Sequence, residues 1–166
     1  LENFKKLNSY AKNNIFNIDF IFLLSLMVID GTDNTEYFLY KFNISKKDQK
    51  RLKMINSFYN EGMNIKKFTE KNLNKYLYYN GNEAVIDIIN FKIFTSNKVE
   101  KKLINILENY KDKVIPIIPI TAKTLMNDFN IPEGKTLGNK FKLIEEIWVN
   151  NGFKISDKQV QKVIKS

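Results

Sequence analysis

Carboxylates, lysines, tyrosines and hydroxyls must carry whatever chemistry this chain performs, because its 166 residues include neither His nor Cys. Thiol nucleophiles and disulfides are thereby excluded, together with the commonest metal ligand and the usual general base near neutral pH. The carboxylates to weigh are Glu145-Glu146, Asp87 and Asp128. Adjacent residues on a helix project about 100° apart. Glu145 and Glu146 therefore cannot share one metal ion, and they read as a solvated helix face. No Asp-x-Asp pair offers a two-metal site for phosphoryl transfer. No Gly-rich loop cradles a phosphate, and no serine has an imidazole to activate it. The sequence predicts no catalytic residue, no metal site and no cofactor in this chain.

One stretch has a physical mechanism for binding. In Ile131-Pro132-Glu133-Gly134-Lys135-Thr136-Leu137-Gly138, Gly134 permits a tight turn into a helix. The N–H groups of Lys135, Thr136 and Leu137 would then face outward, and such an end attracts phosphate. Lys135 and Lys140 lie near enough to add charge. Gly138 either admits a sugar-phosphate backbone at close range or faces a neighbouring helix in an ordinary hairpin, and spacing alone favours the second.

Helices must position these groups. Asp19 reads as the cap of a short apolar helix from Phe20 to about Ile29, stopped by Gly31, with Asp30–Asn34 as a turn. A short helix follows over Thr35–Phe42. Ser45-x-x-Asp48 resembles a capping box, and the helix behind it buries Leu52, Ile55, Phe58 and Tyr59 before ending near Gly62. Thr69 caps Glu70–Tyr79, and Asn80-Gly81 separates it from Asn82–Phe94. Asn97 with Glu100 is expected to cap a helix whose inner face is Leu103, Ile106, Leu107 and Tyr110. The run Val114-Ile115-Pro116-Ile117-Ile118-Pro119-Ile120 cannot be helical, because each proline biases its predecessor to extended geometry. It reads as an apolar connector laid along a body of residues 1–113, leading to a tail of residues 114–166. In the tail Thr121 caps Ala122–Phe129, residues 130–134 turn, Lys135–Asn150 forms a longer helix, and Ser156 starts the last one. The expected fold is all-α, an irregular array of about eight or nine helices with a C-terminal helix-turn-helix-like tail.

The formal charge is +9, from 27 basic and 18 acidic residues. Only Arg51 of the basic set is Arg, and Lys, Asn and Ile are heavily used. AT-rich coding produces that profile by itself, so charge alone does not establish a nucleic-acid partner. The excess is uneven: net −1 over residues 1–45, +7 over 46–113 and +3 over 114–166. The longest apolar stretch, Phe20–Ile29, is about half of a membrane span, and no signal-peptide pattern is present. A soluble, cytoplasmic chain is expected, with no membrane partner. Its first residue, Leu1, reads as the start of a piece of something longer.

Several segments in order resemble the C-terminal body and tail of bacterial CCA-adding tRNA nucleotidyltransferases and the related poly(A) polymerases. Pro119-Ile120-Thr121-Ala122-Lys123-Thr124-Leu125-Met126 is similar to the family's Pro-x-x-Gly-Lys-Asp-Leu. Ile131–Gly138 is similar to its Gly-Pro-x-Leu-Gly turn, and Leu143-Ile144-Glu145-Glu146-Ile147-Trp148 to the amphipathic helix after it. Upstream, Phe42–Leu52 resembles Leu-x-Leu-Ser-x-x-Glu-x-x-Arg-Leu, and Tyr79–Ala84 resembles Gly-x-Glu-Ala. Ala122 stands for the family's Gly, Thr124 for its Asp, and Lys135 for the Pro after Gly134. The resemblance implies a tRNA- or other RNA-binding portion that is inactive alone. Mg²⁺ and nucleotides would be bound by a missing or separate head domain, and the reaction served is either CCA addition or polyadenylation. It also places the RNA surface. Lys123, Lys135, Lys140 and Lys142 with the backbone at Gly134 would meet phosphates, and Lys46, Lys47, Lys50 and Arg51 would extend the track. Rival readings are a stand-alone helix-turn-helix DNA-binding module and a structural remnant of a split gene.

Overall fold

The computed structural model describes residues 2–62 and 68–165. Among these the chain is all-helical, with no strand. The helices are α1 (Glu2–Lys5), α2 (Ser9–Asn14) with a 3-10 turn at Ile15–Asn17, α3 (Phe20–Val28), α4 (Asn34–Lys41), α5 (Lys46–Asn60), α6 (Glu70–Asn80), α7 (Asn82–Thr95), α8 (Lys101–Lys111), α9 (Ala122–Phe129), α10 (Lys135–Asn150) and α11 (Asp157–Lys165). None of them is long and apolar enough to cross a membrane. The chain divides into two compact units, Leu1–Phe68 with Asn80–Lys113, and Thr69–Tyr79 with Val114–Ser166. Helix α6 thus groups with the tail residues, an allocation that nothing in its own periodicity reveals.

Helix α7 is the hub of the first unit. Ala84, Val85, Asp87, Ile88, Ile89, Phe91, Ile93 and Phe94 are all buried, so its faces are apolar nearly all round, as a helix enclosed by others must be. Phe22 of α3 meets Phe94 edge-on at 5.4 Å and Phe91 at 6.4 Å, and Tyr59 of α5 meets Phe91 at 5.9 Å. Local signals set the ends. Asp19 accepts from the N–H groups of Ile21 and Phe22 at 2.9 and 3.1 Å. Ser45 Oγ accepts from Asp48 N at 3.2 Å and donates to the Asp48 carboxylate at 2.6 Å, closing the box on itself.

In the first unit two asparagines close helix ends from a distance. Asn82 Nδ2 reaches the carbonyls of Tyr110, Lys111 and Lys113 at the end of α8. Asn8 Oδ1 caps α2 by accepting from Ala11 N, while its amide donates to the Ile93 and Ser96 carbonyls at the end of α7, at 2.6 and 2.9 Å. Residues 2–17 carry no readable apolar period, and their helices were not expected. Asn97 does not cap α8: that helix begins behind Glu100, with no side-chain cap.

In the second unit Leu125, Ile131, Leu137, Ile144, Val160 and Val163 form a buried core from α9, α10, α11 and the turn between the first two. Thr121 accepts from Thr124 N at 3.1 Å to begin α9, and Asn130, left-handed at φ 52°, ends it. Ser156 and Gln159 cap α11 reciprocally, Ser156 N donating to Gln159 Oε1 at 3.0 Å and Gln159 N to Ser156 Oγ at 3.4 Å. The connector forms neither helix nor strand. Val114 and Ile117 are 83% and 92% exposed, whereas Ile118 and Ile120 pack against the tail core. Its second half therefore lies on the tail, not along the body as expected.

Candidate nucleic-acid interface

The residues expected to contact RNA fall into two physical classes, and the division could not be seen in the sequence. Arg51, on α5, is committed inside the first unit. Its Nε and Nη2 donate to the two oxygens of Asp87 at 2.8 and 2.9 Å, and its Nη1 and Nη2 to Asp19 at 3.1 and 2.8 Å. Glu83 stands 3.3 Å from Nη1. The Arg51 side chain is only 11% exposed, so it is a strut joining α3, α5 and α7, not part of a surface track. Lys47 remains exposed but sits 3.1 Å from Glu83. Lys46 and Lys50 are exposed and carry no ion pair among the described residues.

The cluster also polarises its two aspartates in opposite directions. Burial drives the Asp87 carboxyl up to about 6, against the pull of Arg51 and with added repulsion from Asp19 and Glu83. Asp19 bears the same opposing burial effect more weakly, and Arg51 together with the N–H groups of Phe22 and Ile21 holds it below the usual carboxylate range. Exposure decides between them: Asp87 is 5% exposed and Asp19 52%. Three carboxylates do converge here, but on a guanidinium. Among the described residues no group of carboxylates is arranged to hold a metal ion.

In the tail, Lys140 is likewise committed. Its ammonium donates to the Val163 and Ile164 carbonyls at 3.0 and 2.9 Å, capping the end of α11. Lys123, Lys135 and Lys142 are exposed and carry no ion pair among the described residues. Gly134 is the N-cap of α10, with φ 138° and ψ −162°, and no side chain closes this helix end. The first-turn N–H groups, which have no partner within a helix, therefore face solvent together with the positive end of the helix dipole. Lys135, Gly138 and Lys142 follow at spacings of three and four, on one face. Gly138 is exposed, and a Cβ built on it meets nothing within 4 Å. The helices α9 and α10 do pack together through Leu125, Leu137 and Ile144, but Gly138 does not face a neighbouring helix.

Glu145 is half-buried and has a partner of its own. It accepts a short hydrogen bond from the Tyr78 hydroxyl of α6, and burial together with that carboxylate pushes the phenol up to about 12. Tyr78 also packs edge-on against Trp148 at 5.6 Å. The link brings α6 alongside α10 and opens a groove lined by Lys75, Tyr79, Lys142, Glu146, Val149 and Asn150. Sequence reasoning did not find Lys75, Tyr79 or Asn150. The only available signal was the four-residue spacing of Lys75 and Tyr79 on a face away from Leu73 and Leu77. No protein-family model, no curated protein and no solved structure matches this chain.

Proposed function

We propose that the chain is a non-catalytic RNA-holding module, equivalent to the body and tail of a CCA-adding tRNA nucleotidyltransferase or a related poly(A) polymerase. It would position tRNA or another RNA for nucleotide addition to the 3′ end by a head domain outside this chain. One observation carries the reading: the uncapped start of α10 at Gly134 leads onto an open face bearing Lys135, Gly138 and Lys142. Lys135 and Gly138 lie within a segment whose residues resemble the family, and Lys123 matches the lysine of its Gly-Lys-Asp-Leu element. Such a surface holds a backbone by charge and by free N–H groups, without reading bases. Mg²⁺ and nucleotides belong to the head in this scheme.

The test is a titration of tRNA against the full chain at several salt concentrations. Each phosphate contact contributes about 0.7–0.9 to the slope of log affinity against log salt. A Lys123→Gln/Lys135→Gln/Lys142→Gln variant should therefore lose roughly 2 or more from that slope. A control with Lys154, Lys158 and Lys162 changed to Gln removes the same charge elsewhere in the unit and should lose much less. Equal losses in both would reduce the interaction to net charge. Tighter binding to duplex DNA than to tRNA would transfer the reading to a DNA-binding module.

A further inference from the structure

The groove between α6 and α10 brings two lysines, an exposed tyrosine, a carboxylate and an amide together. Its volume is about 380 Å³, within the range of sites that enclose a small organic group. Lys75 and Tyr79 lie four residues apart on α6. Lys142, Glu146, Val149 and Asn150 lie at spacings of four, three and one on α10, so two helical faces supply all its walls. Both lysines are exposed and carry no ion pair. Glu146 is half-buried and makes no salt bridge with either of them. Tyr79 is 45% exposed, although it is an aromatic residue on a helix that buries Leu73 and Leu77 elsewhere.

Tyr79 is held in place. Its ring stands edge-on to Tyr78 at 5.1 Å and 81°. Tyr78 is fixed in turn by its hydrogen bond to Glu145 and by Trp148, whose ring lies 4.9 Å from Phe153. An exposed ring packed on a neighbour that is itself fixed presents a flat apolar face at reduced entropic cost. Burial, with the nearby Glu145 and Glu146 carboxylates, raises the Tyr79 phenol further above physiological pH, where an ordinary tyrosine is already neutral.

We propose that this groove receives one unpaired nucleotide of RNA, its base stacked on the Tyr79 ring and its flanking phosphates held by Lys75 and Lys142. Aromatic faces stack any base, and lysines at the rim supply the sequence-independent charge that keeps a strand there. Glu146 keeps the phosphates at the rim and out of the groove by repulsion. The Asn150 amide offers both a donor and an acceptor to the edge of the base. The groove also continues the open face of α10, since Lys142 belongs to both. A backbone lying over Lys135 and Gly138 is thereby led to Tyr79. The proposal rests on the RNA-holding reading and adds to it a site for an unstacked base.

The experiment uses the full chain and two fluorescein-labelled probes followed by anisotropy: a uridine hexanucleotide, and a ribose-phosphate hexamer of the same charge with no bases. Tyr79→Ala should weaken uridine hexanucleotide binding by about 5- to 150-fold, the range found when a stacking ring is removed. Tyr79→Phe keeps the ring and should restore wild-type affinity. The abasic hexamer should bind wild type and Tyr79→Ala alike, since only phosphates remain to be held. Equal affinity of wild type and Tyr79→Ala for the uridine hexanucleotide, or no binding of that probe at all, overturns the groove assignment. The two readings fail separately. If tRNA still binds with its Lys123 and Lys135 dependence while Tyr79 proves irrelevant, only the groove is wrong. If Tyr79 discriminates the hexamers but tRNA does not bind, the groove stands and the tRNA-holding reading falls.

Discussion

Gly138 offers a single substitution whose two effects should have opposite sign. Gly in a helix interior costs about 0.5–1 kcal/mol relative to Ala, because its backbone loses more freedom on folding. Gly138 lies within α10, its φ is not left-handed, and a Cβ added there meets open space. Nothing in the fold opposes Gly138→Ala, so the full propensity gain should appear. For a domain of this size that corresponds to a melting temperature raised by about 1–4 °C. Helix content followed by circular dichroism during thermal unfolding measures it. If a sugar-phosphate chain lies on the Lys135–Gly138–Lys142 face, the same methyl group holds it away. The tRNA affinity should then fall and the salt slope should lose about 0.7–0.9, one phosphate contact. A more stable protein that binds RNA less well is an unusual combination, and a folding defect cannot produce it. A variant that gains stability with unchanged affinity at every salt concentration would refute the close approach at Gly138. A variant that loses stability would refute the open surface itself.

Three further outcomes test the groups held inside the fold. Arg51→Ala leaves Asp87 buried without its partner and should cost about 3–5 kcal/mol in urea unfolding, whereas Arg51→Met with Asp87→Leu should recover most of that loss. In wild type the folded Asp87 titrates near 6, above its unfolded value near 4. The folded state holds the extra proton between those limits. Stability relative to Asp87→Asn should therefore fall as pH rises from about 4 to 6, by at most about 1.4 kcal/mol per pH unit, and stay level above. A difference that grows with pH would show that Arg51 outweighs burial. Lys140→Gln should cost about 1 kcal/mol through the lost cap on α11. It should leave tRNA affinity within about twofold, in contrast to Lys135→Gln; a loss as large as that of Lys135→Gln would return Lys140 to the RNA surface.

What the sequence disclosed and what it withheld follow from the range of each interaction. Thr121, Ser45 and Asp19 close helix ends through N–H groups two or three residues away, so their roles are written in consecutive residues. The tail helix Ala122–Phe129 coincides with its expected bounds for that reason, and Lys135–Asn150 does so because Gly134, at φ 138°, marks its start through the backbone alone. Asn8 and Asn82 close helix ends 85 and 28 residues away, and no local pattern distinguishes them from the chain's many other asparagines. The same holds for charge. Arg51 and Lys140 share composition and spacing with Lys50 and Lys142, yet one pair is bound to internal acceptors and the other faces water. A lysine-rich composition therefore fixes how many cations a fold carries but not which of them are available. Availability is decided by what lies opposite in the packed unit: Asp87 opposite Arg51, the end of α11 opposite Lys140, and for Lys142 an open groove. That last difference makes the α10 face, and not the net charge of +9, the feature on which an RNA-binding role has to be tested.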